Sequence, residues 1–195
     1  MNFSTKIPIT PYKHSIDYYS KVLSIGSCFA DHIGNKLAYY KFVSCSNPFG
    51  IIFNSVSIAS LIERAVEQRY FTAEDVFYHN ECWSCYEVHS ELNHTDLDVF
   101  LENLNTQLNH LHQYLKTATH IILTYGTSWV YRLKSSRAIV ANCHKVKQGE
   151  FDKELLPITQ IEASIQKTLH LIQSVNPMRK YCLRFLLYDI IRMGL

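Results

Sequence analysis

Lys21-Val22-Leu23-Ser24-Ile25-Gly26-Ser27-Cys28-Phe29-Ala30 is the stretch whose reading decides the fold. Its first five residues make a short apolar run that stops at a glycine, and Phe29, Ile33, Leu37 and Tyr40 then recur at helical spacing. Strand, tight turn and helix is the expected order. Next, Phe42 to Cys45 reads as a second strand, closed by the breaker cluster Ser46-Asn47-Pro48-Phe49-Gly50. Ser55 to Gln68 places Ile58, Leu61, Ile62, Ala65 and Val66 on one side of an amphipathic helix. Phe71 to His94 mixes Trp, Tyr and His with short alternating pieces, and strand fragments with active-face loop are expected there.

The second half repeats the alternation. From Thr95 or Asp96 as N-cap, Phe100, Leu101, Leu104, Leu108, Leu111 and Leu115 keep a helical stripe. Thr119 to Thr124 has the continuous apolar look of a strand buried on both faces of a parallel sheet, ending at Gly126. Val130 to Leu133 and Ala138 to Ala141 are expected to pair as a hairpin, and Thr159-Gln160-Ile161-Glu162 has the form of a capping box opening a last helix. Strands alternating with helices predict a three-layer α/β/α fold around a mainly parallel sheet. Chemistry in such sheets sits beyond the carboxyl ends of the strands, which singles out residues 26–30, 47–54 and 125–129.

Composition bounds the function classes. The 195 residues are 47% hydrophobic and 18% charged, a globular balance for about one domain. A formal charge of +2 with no run of five basic residues gives no footprint for nucleic acid or an anionic membrane. The greasiest stretch, Cys182 to Leu195, is interrupted by Arg184, Asp189 and Arg192, so no membrane span is expected. Met1 to Tyr12 has no apolar signal core, and a soluble, cytoplasmic protein with six reduced thiols is the expectation.

Ser27 and Cys28 are the candidate nucleophiles, at a strand-to-helix turn where backbone N–H groups and the helix dipole favour a developing anion. Each has a plain structural alternative: serine is a good N-cap and cysteine a common small core residue. Ser27 suits the exposed turn better and Cys28 suits burial. Cys82-Trp83-Ser84-Cys85, with His79 and His89 nearby, has the spacing of a zinc or redox motif, but a single C-x-x-C is weak and two ordinary thiols are preferred. No metal and no cofactor are expected. His110, His112 and His170 fall on helices, where surface or half-buried roles are expected.

Gly26-Ser27-Cys28-Phe29-Ala30 spells the motif of the GSCFA family, which is similar to the SGNH, or GDSL-like, hydrolases. Asn47 to Asn54 resembles the family's second block, His89-Ser90 its His-Ser pair, Thr124 to Tyr131 its third block and Val140 to Lys145 its Asn-Cys-His-Lys block. The resemblance implies a flavodoxin-like SGNH-type fold and acyl-ester chemistry with Ser27 as nucleophile. The ester would belong to a small molecule or a glycan. Backbone N–H groups of Ser27 and Gly50 would serve the oxyanion, and Asn54, Gly126, Thr127, His89 and His144 would be further oxyanion or substrate-binding positions. SGNH enzymes place an asparagine two residues after the third-block glycine, but here Thr127 and Ser128 follow Gly126.

SGNH-type catalysis also uses a histidine with an aspartate three residues before it, and no Asp-x-x-His occurs in this sequence. Lys180 stands where the family has a histidine after Arg179. The expected organisation is therefore a family domain over residues 1–179, incomplete at its C-terminal side, and an off-pattern tail over residues 180–195. Weak or no activity, and self-association through uncovered sheet, are the companion expectations. A non-catalytic binding domain and an acyltransferase are the alternatives to a hydrolase.

Overall fold

A strand that is apolar on both faces must be covered on both, and Lys21–Gly26 (β1) is: after Lys21, its residues are all buried. The computed structural model describes residues 15–185; Met1 to Tyr12, and the part of the expected tail from residue 186 onward, lie outside the described residues. After β1 come α1 (Cys28–Tyr39), β2 (Val43–Ser46), α2 (Ser55–Val66), β3 (Phe77–His79) and β4 (Cys82–Ser84). Then follow α3 (Leu97–Thr117), β5 (His120–Tyr125), β6 (Trp129–Leu133), β7 (Ile139–Val140), β8 (Phe151–Leu155), α4 (Ile158–Val175) and β9 (Lys180–Phe185).

The central sheet is parallel, in the order β2-β1-β5-β9. The chain steps from β1 to one side, returns past it to β5, and continues to β9. With right-handed crossovers this reversal places α1 on one face and α2 to α4 on the other. Side-chain alternation agrees. Leu23, Ile25, Ile121 and Leu123 join the core cluster with Ile58, Ile62, Phe100 and Leu108 of α2 and α3. On the other face Ser24 and Ser46 each donate to Ala30 O of α1 at 3.2 Å, and Gly34 lets α1 come down against both serines. The result is an α/β protein with a mainly parallel sheet, as the alternation predicts.

Two small antiparallel sheets complete the chain: the β3–β4 hairpin and a three-stranded sheet ordered β7-β6-β8. Beside the hairpin, Arg64 of α2 is buried at 1% exposure. Its guanidinium meets Glu87 and Asp75 at 2.7 Å, donates to the carbonyls of Arg69 and Tyr70, and lies over the Phe71 ring. A buried charge is tolerable only with such partners.

Two sequence expectations need correction, and one strand lacks a sequence signal. The last helix starts at Ile158 with Pro157 in the N-cap position, so Thr159 lies inside the helix and makes no capping box. Proline at a helix start costs nothing there, because its missing N–H would have had no intrahelical partner. Strand β8 has no apolar alternation to announce it, since Phe151-Asp152-Lys153-Glu154-Leu155 carries three charges and pairs at a sheet edge. Finally, β9 falls within the stretch read as tail, yet it pairs with β5 from His120↔Lys180 to Tyr125↔Phe185. Among the described residues no helix is long and apolar enough to cross a membrane.

Candidate active site at the sheet's switch point

The reversal of strand order makes the carboxyl ends of β1 and β5 a topological switch point, where open α/β sheets bind ligands. Ser27 stands there. Gly26 carries φ +132°, and a Cβ at this position would run into the Thr124 carbonyl, so only glycine lets the chain leave β1 this close to β5. Ser27 then occupies the N-cap position of α1 without capping it. Its Oγ lies 2.9 Å from Thr124 Oγ1 instead, while its N–H donates to Thr124 O at 3.0 Å and to Thr124 Oγ1 at 2.9 Å. The hydroxyl is directed at the switch point.

Burial reverses the expected roles of the pair: Ser27 is only 2% exposed and Cys28 is exposed. The turn faces the sheet edge inward, and the first residue of the helix is the one that points out.

The sequence blocks converge at this edge through backbone contacts. Gly26 N donates to Asn47 Oδ1 at 2.8 Å and Gly26 O accepts from Ile52 N at 3.0 Å. Gly126 N donates to Phe53 O at 2.9 Å, and His89 N to Phe49 O at 3.0 Å. A Cβ on Gly126 would stand 2.5 Å from Phe53 Cδ1 and 3.3 Å from Ser27 Cβ, so the Phe53 ring and the serine turn both pack against this glycine. Beside Phe53 opens a mostly apolar groove of about 220 Å³, lined by Ile51, Phe53, His89, Tyr131, Val140 and Cys143 among others.

The other predicted site residues divide. Gly50 N donates to Asn47 O at 2.8 Å, so both backbone groups expected to serve an oxyanion, at Ser27 and Gly50, are committed within the protein. Asn54 caps α2 by accepting from Ser57 N at 2.8 Å and holds Val140 O with its amide, a structural use of both ends. Thr127 Oγ1 accepts from Trp129 N at 3.0 Å and shapes the turn into β6. His89 lines the groove, and its Nδ1 accepts from Glu91 N at 3.4 Å. His144 is buried at 4% exposure, its Nε2 2.7 Å from Cys85 O, and burial lowers its pKa and keeps the ring neutral. Among the described residues no histidine hydrogen-bonds to Ser27.

Cys82 and Cys85 are free thiols, as are the other four cysteines. Burial pushes the Cys85 thiol up to about 12. Among the described residues no group of three His, Cys, Asp or Glu side chains is placed to hold a metal ion.

Asn47 has a side-chain role that its place in the sequence does not reveal. It is 7% exposed, in the left-handed region at φ +40°, with Oδ1 fixed on Gly26 N. Its Nδ2 has no acceptor among the described residues. An uncommitted donor is therefore anchored to the residue before Ser27. The signal in the sequence was its place in the breaker cluster, which explains a turn and hides a side-chain role.

No curated protein and no solved structure matches the chain. The sequence model of the GSCFA family matches residues 21–184, which span β1 to β9 and every block brought together at the switch point, and the chain belongs to the GSCFA family.

Proposed function

We propose that the chain is the scaffold of an SGNH-like serine hydrolase acting on an acyl or acetyl ester through Ser27, with flavodoxin-like strand order. The observation that carries this reading is the diversion of the Ser27 hydroxyl from capping α1 to the β1/β5 switch point. In the reaction Ser27 Oγ bonds to the ester carbonyl carbon, the alcohol leaves with the serine's proton, and water then releases the acid. An alcohol acceptor in place of water would give acyl transfer by the same intermediate. The groove beside Phe53 suits the acyl group, and Asn47 Nδ2 is the donor free to serve the oxyanion.

A threonine hydroxyl is too weak a base to activate Ser27, and the chain contains no Asp-x-x-His. General-base help is worth typically about 10² to 10⁴-fold, so turnover by this chain should be close to background. The test is hydrolysis of a short-chain nitrophenyl ester by wild type and Ser27→Ala. Near-background rates in both are expected. Robust Ser27-dependent turnover would contradict the missing base and point to His89 or His144, which the corresponding alanine variants would resolve.

A second reading, a binding domain without catalysis, draws on the burial of Ser27 and its pairing with Thr124. It differs in one expectation: Ser27 would stay unreactive even when Phe53 is removed.

A further inference from the structure

We infer that the acyl part of the ester is a linear, uncharged alkyl chain of about six to eight carbons, neither acetyl nor a long fatty chain, seated in the groove beside Phe53. That assignment rests on the reading of Ser27 as the reacting hydroxyl and adds the group it carries.

Cross-strand pairing builds the groove. Tyr131 of β6 stands opposite Val140 of β7, and both line it together with Ile51, Phe53, Ala141 and Cys143. The walls are held by the backbone: Ala141 N donates to Tyr86 O at 2.8 Å, and Val140 O accepts from the Asn54 amide that belongs to the α2 cap. Phe53 joins groove and serine. It lines the groove, its carbonyl accepts from Gly126 N at 2.9 Å, and its ring packs against Gly126, which Ser27 Cβ also approaches.

The chemistry of the walls selects the chain. No Lys, Arg, Asp or Glu lines the groove, and its polar members, His89 and Asn142, are engaged by Glu91 N at 3.4 Å and His144 N at 2.8 Å. A carboxylate-ended acyl group would find no lysine or arginine there, and burying an unpaired charge is costly. An alkyl chain suits the aliphatic and aromatic walls, and each methylene that leaves water for them is worth up to about fourfold in affinity.

Volume sets the length. The groove encloses about 220 Å³, below the roughly 300–1,000 Å³ of sites for drug-sized ligands. A water in the liquid occupies roughly 30 Å³ and a methylene is close to that size, so about seven carbons fill it. Acetyl leaves most of the groove wet, and a palmitoyl chain overruns it.

The test is the rate at which Ser27 is modified by alkyl fluorophosphonates carrying methyl, propyl, hexyl, decyl or hexadecyl chains. Each rate is read by peptide mass spectrometry and divided by the probe's own hydrolysis rate in buffer. Ser27 Oγ bonds to phosphorus, the P–F bond breaks, and fluoride and the serine's proton leave to solvent. Phosphorus thus stands for the ester carbonyl carbon and the alkyl group for the acyl chain. Modification should rise at least about tenfold from methyl to hexyl and fall again at hexadecyl. Ala141→Leu fills part of the groove and should move the optimum to propyl, whereas Ile51→Ala enlarges it and should move the optimum to decyl. Either variant suffices if the other folds poorly. Equal rates with every probe, methyl fastest, or a rate still rising at hexadecyl would overturn the chain-length assignment and leave Ser27 as the reacting hydroxyl. An optimum unmoved in both variants would overturn the groove as the seat of the chain. No modification of Ser27 by any probe would overturn both readings.

Discussion

At the scale of single residues, the site is defined by which polar atoms are spoken for. The amide of Ser27 is taken by Thr124 and that of Gly50 by Asn47, whereas Asn47 Nδ2 has no acceptor among the described residues. Asn47→Asp keeps the acceptor for Gly26 N and removes the donor. Phosphonylation of Ser27 should then slow on the order of 10² to 10³-fold, the usual effect of deleting an oxyanion donor, and an unchanged rate would remove Asn47 from the site. The thiols make a second prediction. Cys28 and Cys182 are exposed, while burial pushes Cys45 to about 11 and Cys85 to about 12. In a native titration at pH 8 with a disulfide reagent, Cys28 and Cys182 should react first and Cys85 only on unfolding. Prompt modification of Cys85 would show that the wall behind His144 opens in solution. Serine and cysteine at a strand-to-helix turn were visible from the sequence; which of the two faces inward was not, because that depends on how closely Gly26 approaches β5.

At the scale of elements, long periodic segments were the legible ones. The stripe from Phe100 to Leu115 and the run Ile121-Ile122-Leu123 each fix their own structure, since an apolar stripe sustained over more than about four helical turns or an all-apolar strand has few alternatives. Strand β8 was illegible because a charged edge strand gains its pairing from β6 rather than from its own pattern. Arg64 was illegible for a related reason: an arginine amid Leu61, Ile62 and Ala65 looks solvent-facing until Glu87 and Asp75 arrive from another part of the chain. Arg64→Met should lower stability by about 2–4 kcal/mol, measured by urea denaturation, because it breaks the pairs and leaves the Arg69 and Tyr70 carbonyls short of a donor. Burial acts to raise the Asp75 carboxyl, but hydrogen bonds from Arg64 and Thr72 outweigh it and hold it below the usual carboxylate range. A depressed carboxylate contributes stability above its unfolded pKa of about 3.9, and the contribution is lost as pH falls through the folded value. Wild type should therefore lose urea stability below about pH 4 more steeply than Arg64→Met, and equal slopes would show that the pair contributes nothing.

At the scale of the whole molecule, one parallel sheet with a reversal of strand order brings segments far apart in sequence to a single edge. Residues 26–30, 47–54 and 124–131 meet there because Asn47 Oδ1 accepts from Gly26 N, Gly26 O from Ile52 N and Phe53 O from Gly126 N, and the Phe53 ring and Ser27 both flank Gly126. The edge was legible from strand alternation; the burial of Ser27 was not, since it depends on contacts such as that with Thr124 from a distant strand. The central claim is that Ser27 is the reacting hydroxyl of this edge. It is tested most directly by exposing wild type, Phe53→Ala, Ser27→Ala and the Phe53→Ala/Ser27→Ala double variant to excess fluorophosphonate and mapping the adduct by peptide mass spectrometry. The account predicts slow, stoichiometric modification of Ser27 in wild type, faster modification of Ser27 in Phe53→Ala, and none at the edge in either variant lacking the serine. An adduct on another residue, or an unmodified Ser27 after Phe53 is removed, would contradict it.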